Sequence, residues 1–498
     1  MDPILHGLML VAQPVNLALI LAGVLVGVVV GALPGLSSPM AVALLLPFTV
    51  TLDPVPAISM LAALYCAGTF GGSITAILIN APGAPPAVAT AFDGYPMAKK
   101  GEAGRALGMA AVASVIGGVF SLLVFLLATP WLAEVALSFR PPEYFALAVF
   151  ALSMLATVSG RSPVRNLIAG AVGVLIGTAG IHLTTGVQRF TFGVPELADG
   201  VHFVPVLIGL FAMSELLSQS RTLNVLYERI TSVVIRLPSR DDFRKVRGTI
   251  LRSSVIGTFI GILPAEGSTV AAIIGYNEAK RWSKHKGEFG HGAIEGVAGP
   301  EAANNAATGG AMVPTLALGI PGSSTTALIL AALIMHGFRP GPYLVQQTPE
   351  FIYAIFGAML VANFLFLGIG LAGAKVFSRI TMIPPTFLWP AVFVFSMIGA
   401  YSFSGSLFDV WVMLAAGIGG FVMNRHGFGP APLVMGLILG AMVEERLSQS
   451  MIMFDNDWLR FFDSPIVVVF FVLTVVGLAW PALAPRFRRR DTPSEPAP

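Results

Sequence analysis

The chain has 498 residues, of which 55% are hydrophobic and only 11% charged, against about 25% charge in a soluble domain. With a mean hydropathy of +0.81 and a net charge of only +3, a soluble globular fold and a nucleic-acid-binding surface are both excluded. A single cysteine, Cys66, excludes disulfides and cysteine-rich metal sites.

In chain order, no Asp, Glu, Lys or Arg occurs from Pro3 to Leu52, from Pro54 to Phe92 or from Ala302 to Phe338. Such runs exceed the roughly 20 apolar residues that cross a bilayer. The N-terminus, Met1-Asp-Pro-Ile-Leu-His6, lacks the basic segment of a cleavable signal, so the first helix is expected to be retained. Hydrophobic spans are predicted at 15–33, 57–79, 106–128, 143–158, 166–185, 203–217, 250–263, 304–319, 351–374, 386–402, 408–424 and 464–484. Shorter apolar pieces at 36–48, 84–92, 268–279, 323–337 and 430–443 read as half-helices or re-entrant hairpins. The expected fold class is an all-α polytopic membrane protein of about 12 transmembrane helices plus broken ones.

The helix breakers repeat. Gly23, Gly27 and Gly31 lead into Leu33-Pro34-Gly35-Leu-Ser37-Ser38, and Ser253, Gly257 and Gly261 lead into Leu263-Pro264-Ala-Glu266-Gly-Ser268-Thr269. Small residues at every fourth position let helices approach closely. Gly71-Gly72 leads to Asn80-Ala-Pro-Gly83, and Gly309-Gly310 leads to Gly319-Ile-Pro-Gly322-Ser323-Ser324. A weaker third echo sets Gly94-Tyr95-Pro96 against Gly337-Phe338-Arg339-Pro340. Three matches in the same order point to duplication.

Loop charges give the copies opposite orientations. After the first motif, copy one has no basic residue between Pro47 and Ala57, whereas copy two has Lys280, Arg281, Lys284 and Lys286. After the second motif the bias reverses: Lys99, Lys100 and Arg105 in copy one, only Arg339 in copy two. Cytoplasmic loops are enriched in Lys and Arg, so the two repeats are expected to be inverted, as in many secondary transporters. The expected organisation is a first repeat at 1–220, a basic cytoplasmic linker with an amphipathic helix at 221–252, a second repeat at 253–485, and a disordered cytoplasmic tail at 486–498.

Each break leaves unpaired N–H donors at a helix restart, and these suit a carboxylate or phosphate. The expected substrate-binding residues are Ser37, Ser38, Asn80, Gly83, Ser268, Thr269, Gly322, Ser323 and Ser324. The alternative is that Pro kinks and Gly packing merely shape the bundle. Glu266, Asn304 and Asn305 have no acidic or amide counterparts in copy one, where Leu36 and Tyr65-Cys66 stand. They are the expected cation-binding set, for a proton or Na⁺, because a carboxylate at membrane depth costs about 2.5–3.5 kcal/mol unless something offsets it. The competing reading puts Glu266 in an aqueous mouth and the Asn pair between helices. Glu301 and Glu295 are weaker candidates, because Lys284, Lys286 and His291 suggest a solvated loop nearby, to which Glu278 is expected to belong.

Enzyme signatures are missing: there is no His-Glu-x-x-His, phosphate loop or Gly-x-Ser-x-Gly. Gly368-Ile-Gly370-Leu-Ala-Gly373 spells a dinucleotide fingerprint but lies inside an apolar span, where packing glycines are the better reading. No cofactor is expected beyond a coupling Na⁺ or H⁺. Two other readings stay open: an intramembrane enzyme using Glu266, Glu301 and His291, and a passive anion channel.

Together, Leu33-Pro-Gly-Leu-Ser-Ser38, Asn80-Ala-Pro-Gly83, Gly299-Pro-Glu-Ala-Ala-Asn-Asn305 and Gly319-Ile-Pro-Gly-Ser323 resemble the large membrane subunit of the tripartite tricarboxylate transporters. The resemblance implies a secondary transporter in the bacterial inner membrane that imports organic carboxylates and is driven by a cation gradient. It also implies a small membrane subunit and a periplasmic solute-binding protein as partners. Arg486, Arg488, Arg489 and Arg490 separately predict a cytoplasmic C-terminus.

Overall fold

The computed structural model describes residues 2–158, 162–182, 185–219, 236–264, 267–372 and 385–488. Helices run α1 (Pro3–Val11), α2 (Pro14–Gly31), α3 (Ser38–Thr49), α4 (Pro54–Ile79), α5 (Val88–Met97), α6 (Ala103–Leu137), α7 (Pro141–Val158), α8 (Pro163–Gly177), α9 (Phe203–Ile208) and α10 (Ser214–Gln219). They continue as α11 (Arg240–Ile262), α12 (Gly267–Trp282), α13 (Glu295–Leu318), α14 (Ser324–Met335), α15 (Pro342–Gln347) and α16 (Pro349–Ala372). The last are α17 (Pro385–Ser404), α18 (Leu407–Arg425), α19 (Pro430–Met453) and α20 (Pro465–Arg488). Among the described residues the strands are two short ones, β1 (Gly180–Ile181) and β2 (Gln188–Arg189), paired antiparallel. The protein is an all-α membrane protein. By length and composition five helical stretches can span a bilayer: α2, α4, the run Pro85–Leu137 that contains α5 and α6, α16 and α18.

The chain forms two compact units, Met1–Leu137 with His202–Arg425, and Ser138–Val201 with the chain from His426 on. In the second unit α8 packs along α19. A Cβ at Gly173 or Gly436 would stand 2.0 Å from the carbonyl oxygen of Leu433 or Gly170 respectively, so only glycine permits this spacing. Arg189 of β2 grips Glu444 of α19 with both terminal nitrogens, Nη2 to Oε2 at 2.9 Å, which ties the hairpin down.

The first unit is organised around α4 and α13. All residues of α4 from Ala57 to Ile79 are buried, as are all of α13 from Gly296 to Ala317, so both helices are enclosed by protein on every side. Spacing along α4 gives the direction of its neighbour. A Cβ at Gly23, Gly27 or Gly31 of α2 would lie 2.3, 2.6 or 2.4 Å from the carbonyl oxygens of Met60, Leu64 and Gly68. Residue numbers rise together, so α2 and α4 are parallel. Since α3 leads back to the start of α4 while Ser38 at its head lies beside Gly68, α2 and α3 form a re-entrant hairpin with its tip part-way along α4. The second half repeats this arrangement. A Cβ at Gly257 or Gly261 of α11 would lie 2.1 or 2.5 Å from the carbonyl oxygens of Ala303 and Ala307 in α13, and α12 returns past Gly299 at Gly275.

α4 and α13 themselves cross antiparallel. Cys66 Sγ is 3.9 Å from Thr308 Oγ1, and Asn304 Nδ2 donates to Thr69 O at 3.5 Å, so one numbering rises as the other falls. Both helices stop in the same way. Asn80 and Gly319 take the left-handed conformation, at φ 53° and 71°, and the next residues turn back to donate to Thr75 O and Pro314 O. The expected amphipathic helix at 221–237 lies almost wholly outside the described residues, as does the tail from 489 on.

Candidate functional site

Both re-entrant tips reach the crossing of α4 and α13. In the first half, Ser37 is the N-cap residue of α3 but makes no side-chain cap bond, leaving the first-turn donors of α3 without a side-chain acceptor. Ser38 is buried, and its Oγ stands 2.6 Å from where a Cβ on Gly68 would be. In the second half, Ser323 caps α14 in a reciprocal box with Thr326: Ser323 N donates to Thr326 Oγ1 at 2.9 Å and Thr326 N to Ser323 Oγ at 3.2 Å.

Tyr65 of α4 joins the two halves. Its hydroxyl is 3.3 Å from Ser323 Oγ, and Ser268 in the first turn of α12 lies close to it. One buried phenol of the first half thus reaches the restart of α14 in the second. One turn further along α4, Thr69 receives Asn304 Nδ2 on its carbonyl. Asn304 and Asn305 are each 1% exposed, and the Oδ1 of each has no hydrogen-bond partner. Their amide nitrogens are engaged, Asn305 Nδ2 donating to Glu301 O at 3.2 Å. Donors at helix starts and free acceptors on α13 therefore occupy one buried region, a composition suited to a small polar solute.

A family model for the tripartite tricarboxylate transporter TctA family matches residues 17–435. The chain belongs to the TctA family. It is also 40% identical over 474 residues to an uncharacterized 52.8 kDa protein in the TAR-I ttuC' 3'region of Agrobacterium vitis, covering 95% of this chain and 93% of that one. An uncharacterized protein in the TAR-II ttuC' 3'region of the same organism is 39% identical over 236 residues, covering 47% of this chain and 97% of its own length. No solved structure matches.

Several expected contributors to the candidate site of this TctA-family chain are engaged in building the scaffold. The N–H of Gly83 donates to Gly72 O at 3.3 Å, and that of Gly322 to Thr315 Oγ1 at 3.3 Å. Both glycines are needed because they abut Gly31 O and Gly261 O, where a Cβ would sit 1.8 and 2.8 Å away. Asn80 is exposed and ends α4 in a left-handed turn that Asn tolerates. Thr269 is half-buried beside Ser268, and Ser324 is buried in the first turn of α14. Glu266 lies outside the described residues.

Glu301 corrects the expectation of a solvated loop. It is 0% exposed, and its carboxylate accepts from Thr90 Oγ1 of α5 at 2.5 Å and from Ser114 Oγ of α6 at 2.9 Å. The loop containing Lys284, Lys286 and His291 precedes α13, whose second turn already carries Glu301 into the interior. Glu295 in the first turn accepts from Ser283, and Glu278 from Trp282 Nε1 at 2.9 Å. His291 is exposed while Glu301 is buried, so the acid–base pair of an intramembrane enzyme is not assembled. Tyr65, not among the expected binding residues, carries a sequence signal: it aligns with Asn304 in the repeat, a position polar in both copies.

Proposed function

We propose that the chain is the solute-translocating subunit of a cation-coupled importer of organic carboxylates in the bacterial inner membrane. Its solute would arrive on a periplasmic binding protein, and a small membrane subunit would complete the complex. Membership of the TctA family supports the tricarboxylate class and the need for partner subunits. The observation that carries the mechanism is the Tyr65 hydroxyl against Ser323, with Ser268 close by, at the antiparallel crossing of α4 and α13. Broken helix at membrane depth is tolerated where it is enclosed by protein or lines a wet path, and here the breaks of both halves converge on one place. Helix starts favour anionic groups, and Ser37, Ser38, Ser268 and Ser323 add hydroxyls there. The unpaired oxygens of Asn304 and Asn305 supply acceptors beside those donors.

The same crossing supports an inverted repeat. Equivalent helices with equivalent endings run in opposite directions, as an axis in the membrane plane requires. The test of function is uptake of radiolabelled carboxylates by proteoliposomes holding the whole complex, with and without an imposed Na⁺ or H⁺ gradient. Saturable, gradient-driven accumulation is expected. Unsaturable flux would point to a channel, and uptake indifferent to every gradient would remove cation coupling.

A further inference from the structure

Among the buried carboxylates described in the first unit, Glu301 is one whose hydrogen-bond partners are side-chain hydroxyls alone. Glu301 sits on α13 one turn before Asn304, about 5 Å along the helix axis. Its two oxygens are met by hydroxyls from two other helices, Thr90 of α5 and Ser114 of α6, and Ser73 of α4 lies beside it with its own proton given to Phe70 O. Among the described residues, no Lys, Arg or His pairs with it. The charged and titratable groups on neighbouring elements are engaged elsewhere. Asp93 of α5 takes the N–H groups of Gly290, Gly292 and Ala293 and the hydroxyl of Tyr276 from α12. Arg105 of α6 is bound to Glu102 and Asp242, and Glu295 to Ser283. Cys66 of α4 contacts Thr308, and the buried Nε2 of His336, at the end of α14, has no hydrogen-bond partner among the described residues.

An ionised carboxylate in an enclosed apolar site costs several kcal/mol unless a charge accompanies it. Among the described residues no Lys or Arg does so, and a mobile proton is a charge that can come and go. Hydroxyls accept as well as donate. They can receive the O–H of a protonated acid and donate to its anion, so the site is satisfied in both states.

We propose that Glu301 is the proton-carrying group of the transport cycle, loaded from water on one side of the membrane and unloaded on the other. The step makes and breaks one O–H bond, and the proton enters and leaves as H⁺. The idea rests on the import reading and deepens it by naming the coupling ion and its seat. Thr90 stands in the first turn of α5, six residues past Ala84 at the break, and Asn305 Nδ2 binds the Glu301 main chain. Rearrangement of the solute site around α5 and α13 would therefore disturb the hydroxyl pair that holds the carboxyl group.

Two measurements on the reconstituted complex test this. Infrared difference spectra across a pH titration should show the C=O stretch of a protonated carboxylic acid in the wild type, absent in Glu301→Gln. Radiolabelled citrate, the probe in the second, should be accumulated by the wild type under an inward H⁺ gradient. Glu301→Gln should lose that accumulation at least tenfold while keeping citrate exchange within about threefold. Persistence of the infrared band in Glu301→Gln, or undiminished H⁺-driven accumulation, would overturn the proposal. Should Glu301→Gln fail to fold, Thr90→Val retains the carboxyl but lacks one hydroxyl. The band must then move to higher frequency, and an unmoved band overturns the assignment. If the wild type takes up no citrate, the import reading fails for that solute while the infrared arm still decides whether Glu301 binds the proton.

Discussion

At the scale of single residues, the site depends on backbones that touch. Gly31 lies with its α-carbon so near Gly68 O and Gly71 that a methyl group would sit 2.4 and 2.9 Å from main-chain atoms, which cannot move aside as a side-chain tip would. Overpacking of this kind costs about 1–3 kcal/mol or more, so Gly31→Ala should lower the melting temperature of the purified protein and reduce uptake. Gly368, in the string that spells a dinucleotide fingerprint, has nothing within 4 Å of its would-be Cβ. Gly368→Ala should leave the melting temperature unchanged or raise it, because Ala exceeds Gly in helix propensity by up to about 1 kcal/mol. A drop in Gly368→Ala equal to that in Gly31→Ala would refute the packing account. Tyr65→Phe removes only the hydroxyl that meets Ser323 Oγ. A hydrogen bond of this kind contributes about 0.5–1.5 kcal/mol, so KM for the transported carboxylate should rise up to about tenfold with little loss of folded protein. An unchanged KM would assign Tyr65 to packing alone.

At the scale of elements, two carboxylates fasten one half of the chain to the other. Asp93 of α5 collects three backbone N–H groups from the loop before α13, each at 2.8 Å, and the Tyr276 hydroxyl at 2.9 Å. Asp93→Ala removes every acceptor at this position. It should therefore destabilise by about 1–3 kcal/mol for each group left unpaired, read as a lower melting temperature and faster proteolysis at the 283–294 loop. Asp242, in the first turn of α11, is held below the usual carboxylate range by the Arg105 guanidinium, at 2.5 and 3.2 Å, and helped by the Ser239 cap. A depressed folded-state pKa adds stability above the unfolded value of about 3.9, and that stability is lost as pH falls through the folded value. The stability gap between wild type and Asp242→Asn should be flat from pH 8 to pH 5 and close only in stronger acid. A gap that closes near pH 7 would contradict the assignment. Neither clamp was legible in the sequence. Asp93 is a lone acid after a charge-free run, and the loop that satisfies it lies about 200 residues away, at 290–293.

At the scale of the whole molecule, what could be read from sequence was what depends on spacing. Glycines four apart, the Pro-Gly breaks and their order recur in the structure as parallel helix pairs with matching left-handed ends. What depends on enclosure was not legible. Glu301 follows a basic loop and so resembles a surface residue, until α6 and α5 close over it. Length alone also left the direction of the short apolar pieces open, and only contacts along α4 and α13 give α3 and α12 their return course. The compact units draw on both halves of the sequence, Ser138–Val201 grouping with the chain from His426 on, a division no composition shift announces. The proposed inverted repeat makes one prediction about the molecule as a whole. In it the loop after α3 and the loop after α12 are equivalent, so they should emerge on opposite faces of the membrane. Ser283 is a poor reporter, being buried with its hydroxyl on Glu295, but Lys284 is exposed. In a chain with Cys66 replaced by Ala, single thiols at Leu52→Cys and Lys284→Cys should be reached by an impermeant maleimide from opposite sides, the first in intact cells and the second only in inside-out vesicles. Labelling of both from one side would mean that the antiparallel crossing of α4 and α13 arises from something other than an inverted duplication.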